Sequence, residues 1–320
     1  MKISFFNLLY SKNMDIIASK KEGIRMEVIN YSNYKFNKLP KLELSSSITN
    51  TESILYFLPC KDKWNNKVNI FKKFYVNSGD YFGNKLLTIN TLIDSKEDLG
   101  LDELVFPEKL VAINDVLWGF MMPYIDSINL SEILSDLRVP TSEKIKLLKS
   151  VGKIIEKVRI TSTYTKKMCL SDIHENNFVV DRITGELRVV DVDSVQIGNN
   201  QPFPSKYLHL IGRKISGSNS KYPKNEKEIF IPSYNTDILC YIIMILNCIS
   251  NSKITSLSIE QFYGYLFYLK NIGFDYDLLE CFSTIYLNCD NKSPLDYLDT
   301  IPSSIARADL NVFKYTYKLK

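Results

Sequence analysis

Ser171-Asp172-Ile173-His174-Glu175-Asn176-Asn177, followed by Val189-Val190-Asp191-Val192-Asp193, is the stretch on which the fold turns. Between the two segments, Phe178-Val179-Val180 and Leu187-Arg188-Val189-Val190 read as strands joined by Asp181-Arg182-Ile183-Thr184-Gly185-Glu186, whose late glycine suits a bulged hairpin. Such a hairpin is expected to return Asp191 to the neighbourhood of Asp172 and Asn177. Taken singly, Asp172 and Asn177 read as turn formers and Asp191 as a strand-end cap. The ordered set is much rarer, and it supplies what phosphoryl transfer needs. Asp172 offers a carboxylate to orient or deprotonate an acceptor hydroxyl, and Asn177 and Asp191 offer oxygen ligands for magnesium.

Upstream of this stretch the chain reads as β-structure followed by helices. Lys41-Leu42-Glu43-Leu44, Ser53 to Leu58 and Lys67 to Val76 suggest an antiparallel meander, rich in β-branched and aromatic residues. Phe82, Leu86, Leu87, Ile89, Leu92 and Ile93 then recur at helical spacing, so one helix is expected to lean on the sheet. Leu104 to Ile113 and Val116 to Ile125 complete five candidate strands, the last broken by Pro123, which cannot donate to a ladder. Helices follow at Leu130 to Leu137 and from Thr141-Ser142-Glu143 onward, and again from Thr236 to the end. A polar stretch from Gly198 to Ser233 separates the hairpin from those last helices. The fold class expected is α+β, with a sheet of five antiparallel strands plus one helix and then a larger, mainly helical part. In domain terms this gives 1–33 as an N-terminal extension, 34–125 as the first lobe and 126–320 as the second.

Bulk properties exclude more than they assign. The 320 residues, 45% hydrophobic and 12% aromatic, are enough for one large domain or two fused lobes. Forty lysines and arginines stand against 36 acids, and a net charge of +4 without clustering suggests no nucleic-acid or membrane surface. Six scattered cysteines lack a CxxC pair or a Cys/His cluster, so reduced thiols in a cytoplasmic protein are the plain reading. Asn7 interrupts the short apolar run near the N-terminus, and no small-residue cleavage site follows. Ile238 to Ile249 is too short for a bilayer and reads as a buried helix.

Asp172-Ile173-His174-Glu175-Asn176-Asn177 resembles the catalytic loop of the protein-kinase superfamily, and Val190-Asp191-Val192-Asp193-Ser194 resembles its metal-binding motif. The resemblance implies a bilobal protein-kinase-like fold using ATP and Mg2+, with Asp172 as catalytic base and Asn177 and Asp191 as magnesium ligands. Asp191 to Ile197 is similar to a variant in bacterial eukaryote-like Ser/Thr kinases, whereas His174, two residues after the base, is a feature of antibiotic and choline phosphotransferases. Gly119 to Ile125 resembles the strand and hinge that hold adenine, with Met122 as gatekeeper and the backbone of Tyr124 and Ile125 facing the base. Asn235-Thr236-Asp237 resembles the start of a central helix whose aspartate braces the catalytic loop; Asp237 and His174 are thus supporting residues.

Several departures from the family pattern concern the grip on phosphate. Ser45 to Glu52 stands where a glycine-rich loop is expected and contains no glycine. Lys72 serves as the phosphate-binding lysine if it shares a face with Val68 and Ile70; the alternative register puts Asn69 there, with Lys85 as substitute cation. Tyr81 to Ile93, where the lysine's acidic partner belongs, holds no acid. Asp193 replaces the usual glycine, and Leu170-Ser171 replace the usual His-Arg. The leading function is transfer of the γ-phosphate of ATP to a protein Ser/Thr hydroxyl. The alternatives are a small-molecule phosphotransferase of aminoglycoside or choline type and a pseudokinase acting as a nucleotide-binding scaffold.

Overall fold

The computed structural model describes residues 27–43, 52–58, 68–164, 167–198, 232–288 and 292–317. Residues 1–26, the glycine-free loop apart from Glu52, the expected turn at 60–66, most of the polar stretch between Gly198 and Ser233, and Cys60 and Cys289 lie outside them. The chain is α+β and divides into two compact units: residues 1–126 with 191–203, and residues 127–190 with 204–320. One carries a five-stranded sheet with a long helix and the other is mainly helical, as the kinase-like resemblance implies.

In the sheet unit the elements are β1 (Val28–Tyr31), α1 (Asn33–Phe36), β2 (Ser53–Leu58), β3 (Asn69–Phe74), α2 (Gly79–Leu99), β4 (Lys109–Ile113) and β5 (Val116–Pro123). The strand order is β1-β4-β5-β3-β2. Two details differ from the sequence reading. Lys41 makes only an isolated bridge to Tyr56, and the fifth strand is instead β1, which runs parallel to β4. A parallel neighbour needs no hairpin, so no turn signal announces it. Leu104 and Phe106 belong to a turn ahead of β4, whose pairing begins at Lys109.

The two sides of β3 set the position of the site. Phe71 packs with Tyr56, Val111, Ile113 and Met121 on one side, closed by Phe36 of α1. Ile70, Lys72 and Phe74 point to the other side, where the Phe74 ring meets Phe82 of α2 at 5.8 Å and Phe120 of β5 at 6.1 Å. Period-two alternation makes this division obligatory once either face is buried. Helix α2 buries Phe82, Leu86, Ile89 and Leu92, and along that face also Lys85, Thr88 and Ser95, while Leu87 turns out to solvent. Gly100, in the left-handed conformation, closes the helix by donating to the Lys96 carbonyl.

The helical unit contains β6 (Ser127–Asn129), α3 (Leu130–Ser135), α4 (Thr141–Tyr164), β7 (Met168–Cys169), β8 (Phe178–Asp181), β9 (Leu187–Val189), α5 (Tyr234–Ser250), α6 (Ile259–Asn271), α7 (Tyr276–Asn288) and α8 (Leu310–Thr316). β8 and β9 form the expected hairpin, with Gly185 at φ +71°, and β6 pairs with the outer side of β8. α5 is buried on nearly every side, packed by α4 and α7, and Tyr241 donates from its middle to the Leu148 carbonyl at 2.7 Å. An all-round apolar helix of this kind is a core element. Among the described residues no helix is long and apolar enough to cross a membrane.

Close approach of β3 and β5 depends on Gly119. A Cβ there would lie 1.9 Å from the Lys72 carbonyl oxygen, far inside contact distance and against backbone. Gly119→Ala is therefore expected to lower stability by about 3 kcal/mol. Urea unfolding checks this, and a wild-type midpoint would contradict the β3–β5 register.

Candidate active site

In the sheet unit, charged side chains from four places in the sequence converge on the helix-facing side of β3. Lys72 donates to Asp191 and, at 2.6 Å, to Asp193. Lys85 of α2 donates to the other oxygen of Asp193 at 2.6 Å and to Glu52. Tyr81, one helical turn before Lys85, donates to the second Glu52 oxygen. Lys72 also lies 3.9 Å from Glu52. The register left open by the sequence is resolved: Lys72 meets the carboxylates, while the Asn69 side-chain oxygen is buried without a hydrogen-bond partner.

Burial of so much charge requires that each group compensate another. For Lys72 and Lys85 burial is the largest single influence and favours the neutral amine. The surrounding carboxylates, Asp191 and Asp193 foremost, outweigh it and hold both lysines above the usual lysine range. For Asp193 burial pushes upward, but Lys72 and Lys85 overcome it and hold the carboxyl well below the usual carboxylate range. At Asp191 desolvation wins over Lys72 and is reinforced by Asp193, so its carboxyl is raised.

Asp191 has φ +62°, a left-handed conformation that aspartate tolerates and that redirects its side chain as the chain leaves β9. Its side chain is 35% exposed, whereas that of Asp193 is fully buried with both oxygens held by lysines. Oxygens of Glu52, Asp191 and Asp193 lie within 4.8 Å of one another. Of the three, Asp191 fits a hard cation such as Mg2+ best, because oxygen donors suit that ion and Asp193 has none to spare.

The helical unit holds Asp172, His174, Asn177 and Asp237. Asn177 donates through its side-chain nitrogen to the Asp172 carbonyl at 2.8 Å and to the Asp172 carboxylate at 3.3 Å, which leaves its amide oxygen as the atom suited to a cation. His174 is buried; its Nδ1 accepts from the Asn176 N–H at 3.3 Å and its Nε2 lies 3.5 Å from the Asp172 carboxylate. Asp237, in the first turn of α5, accepts from the N–H groups of Leu170 and Ser171 at 2.7 and 2.8 Å. Ser171 has φ +66°, a costly conformation for serine, and these bonds hold it there. The Leu170 carbonyl then accepts from Asp172 at 2.7 Å, so Asp237 fixes the backbone on which Asp172 is mounted.

Met122 is buried in β5 opposite Ile70. The Tyr124 N–H donates to the Val68 carbonyl at 2.9 Å and its ring packs on Phe57, while Ile125 is half-buried at the end of the unit's first segment. The structure thus groups Lys72 with Asp191, and Asp172 with Asn177 and His174. Glu52 and Tyr81 have no role in the sequence reading; the signal for Glu52 is an acid beside β2 in a chain whose helix has none from Tyr81 to Ile93.

No family model matches this chain, and no curated protein matches it. Among solved structures, the crystal structure of a double mutant of the Mycobacterium tuberculosis PknI kinase domain is similar in backbone path. Its identity is 11%, the match covers 82% of this chain and 92% of that one, and the TM-score is 0.47.

Burial lifts the Asp237 carboxyl to about 7, against the opposing pull of its two N–H donors. The folded state therefore binds this proton more readily than the unfolded chain. The stability contributed by protonation is present below the ordinary aspartate range and is lost as pH rises toward 7. Asp237→Asn cannot titrate, so the stability of wild type relative to this variant is expected to fall between about pH 4 and 7. Urea unfolding across that range checks the sign; a parallel pair of profiles would contradict it.

Proposed function

We propose that the chain is an ATP- and Mg2+-dependent phosphotransferase of the protein-kinase-like superfamily, transferring the γ-phosphate to a protein Ser/Thr hydroxyl. The observation that carries this is the ion pair of Lys72 with Asp191, residues 119 apart in sequence. One has the residue type for binding phosphate and the other for binding the metal that accompanies it, and no local rule requires them to meet. Asp172 takes the acceptor proton on its carboxylate as phosphate transfers, held in place by Asn177, His174 and the Asp237 brace. Asn177 and Asp191 are the oxygen donors for Mg2+, which when bound neutralises phosphate charge. Met122, Tyr124 and Ile125 are assigned to the adenine.

A second reading, a nucleotide-binding scaffold without turnover, draws support from the mutual neutralisation of Lys72, Lys85, Asp191 and Asp193. Incorporation of labelled γ-phosphate from ATP into the protein and a mixed pool of protein and small-alcohol acceptors separates the two. Asp172→Asn is expected to reduce the rate by about 100-fold or more, the usual worth of a positioned base. Equal incorporation by both proteins would refute the assignment of Asp172, and nucleotide binding without incorporation favours the scaffold.

A further inference from the structure

Lys85 and Asp193 occupy positions whose chemistry is reversed from the resemblance: the helix supplies a cation and the motif after β9 supplies an additional acid. Their geometry states what each can do. Lys85 is 1% exposed, enclosed by the rings of Phe74 and Tyr81 and held by two carboxylates, so its ammonium is not available to a ligand arriving from solvent. Asp193 is 0% exposed with one oxygen on each lysine, so it is not available to a metal. What remains is position. Asp193 holds the Lys72 ammonium beside Asp191, and Lys85 supplies the counter-charge on the other Asp193 oxygen.

We propose that Asp193 is a positioning residue for phosphate recognition, with Lys85 as its obligatory counter-charge, an assignment that rests on the phosphotransferase reading above. With Asp193 present, Lys72 is shared between two carboxylates and is poised to exchange one of them for a phosphate oxygen. With Asp193 neutral, Lys72 is drawn wholly to Asp191, which occupies both the phosphate-binding ammonium and the metal-binding carboxylate at once. Lys85 is therefore a part of the nucleotide site that never touches nucleotide. Glu52 completes the arrangement by holding Lys85 with one oxygen and accepting from Tyr81 with the other.

Binding of Mg·ADP and of adenosine to the full chain tests this, because only ADP engages Lys72. Asp193→Asn is expected to weaken ADP by about 10- to 100-fold, the worth of a charge-assisted hydrogen bond, and to leave adenosine within twofold. Since that variant takes one of its two carboxylates from Lys85 and leaves it Glu52, the paired neutral variant Lys85→Met with Asp193→Asn is measured beside it. Removing both charges keeps the cluster's excess at one negative charge, with Tyr81 still on Glu52, and replacement of buried pairs by neutral groups is commonly tolerated. The neutral pair is expected to fold and still to lose ADP selectively. A wild-type ratio of ADP to adenosine affinity in the neutral pair would overturn the proposal and make the ion pair a packing feature alone. Equal loss of both ligands would overturn it too. A wild-type protein that binds adenosine but not ADP, or neither, would instead overturn the nucleotide reading beneath it and the proposal together.

Discussion

The Asp193 carboxylate, held dry between Lys72 and Lys85, is the constraint on which the sheet unit depends. A carboxylate with no exposure is tolerable only if both oxygens are satisfied by charge-assisted bonds, and here each takes one lysine. That requirement fixes three elements together. β3 must present Lys72 rather than its neighbours on the helix-facing side, α2 must turn Lys85 inward among its apolar residues, and the chain after β9 must bend at Asp191 to deliver Asp193. The apolar contacts of Phe74 with Phe82 and Phe120 set the spacing, and the ions select the register within it.

The helical unit solves a related problem with one acid. Asp237 bonds the N–H groups of Leu170 and Ser171, and so stabilises a serine in a conformation it rarely adopts. The strain is local, but its result is directional: the residue after the strained serine is Asp172. Asp237 sits in the first turn of a helix that is buried along most of its length, so the brace is anchored in the core. Loop residues proposed for chemistry thus inherit their precision from a helix that takes no direct part in it.

What the sequence made legible follows the range over which the physics acts. The β8–β9 hairpin, the spacing of Asp172 and Asn177, the strand ending at Pro123 and the buried character of Ile238 to Ile249 are local patterns, and the structure carries each of them. β1 was not legible, because a parallel edge strand leaves no turn signal and its four residues alternate only between exposed and half-buried. Nor was the choice between Lys72 and Asn69: β3 is buried on both faces, so Asn69-Ile70-Phe71-Lys72-Lys73-Phe74 shows no polar side to orient it. Even Lys73 is covered, its ammonium 3.8 Å above the Trp118 ring. Asp193 and Lys85 stood out as departures from a pattern, yet their meaning lay in a contact 108 residues apart.

The same cluster bears on where a cation would be drawn. Lys72, Lys85, Glu52, Asp191 and Asp193 comprise two ammonium groups and three carboxylates, an excess of one negative charge. Asp193 cannot carry that excess outward, since both lysines enclose it, and Glu52 is engaged by Lys85 and Tyr81. Asp191 has Lys72 on one oxygen and retains a third of its side chain in contact with solvent. Glu52 and Asp191 are equally exposed, but Glu52 has a donor on each oxygen, so the unbalanced charge resides at Asp191. On the proposed function Asp191 would hold the divalent cation, whose charge would compete with the Lys72 ammonium for this carboxylate. Asp191 would thus link metal to phosphate through its ion pair with Lys72, and Lys85 sets the charge of the cluster around that pair.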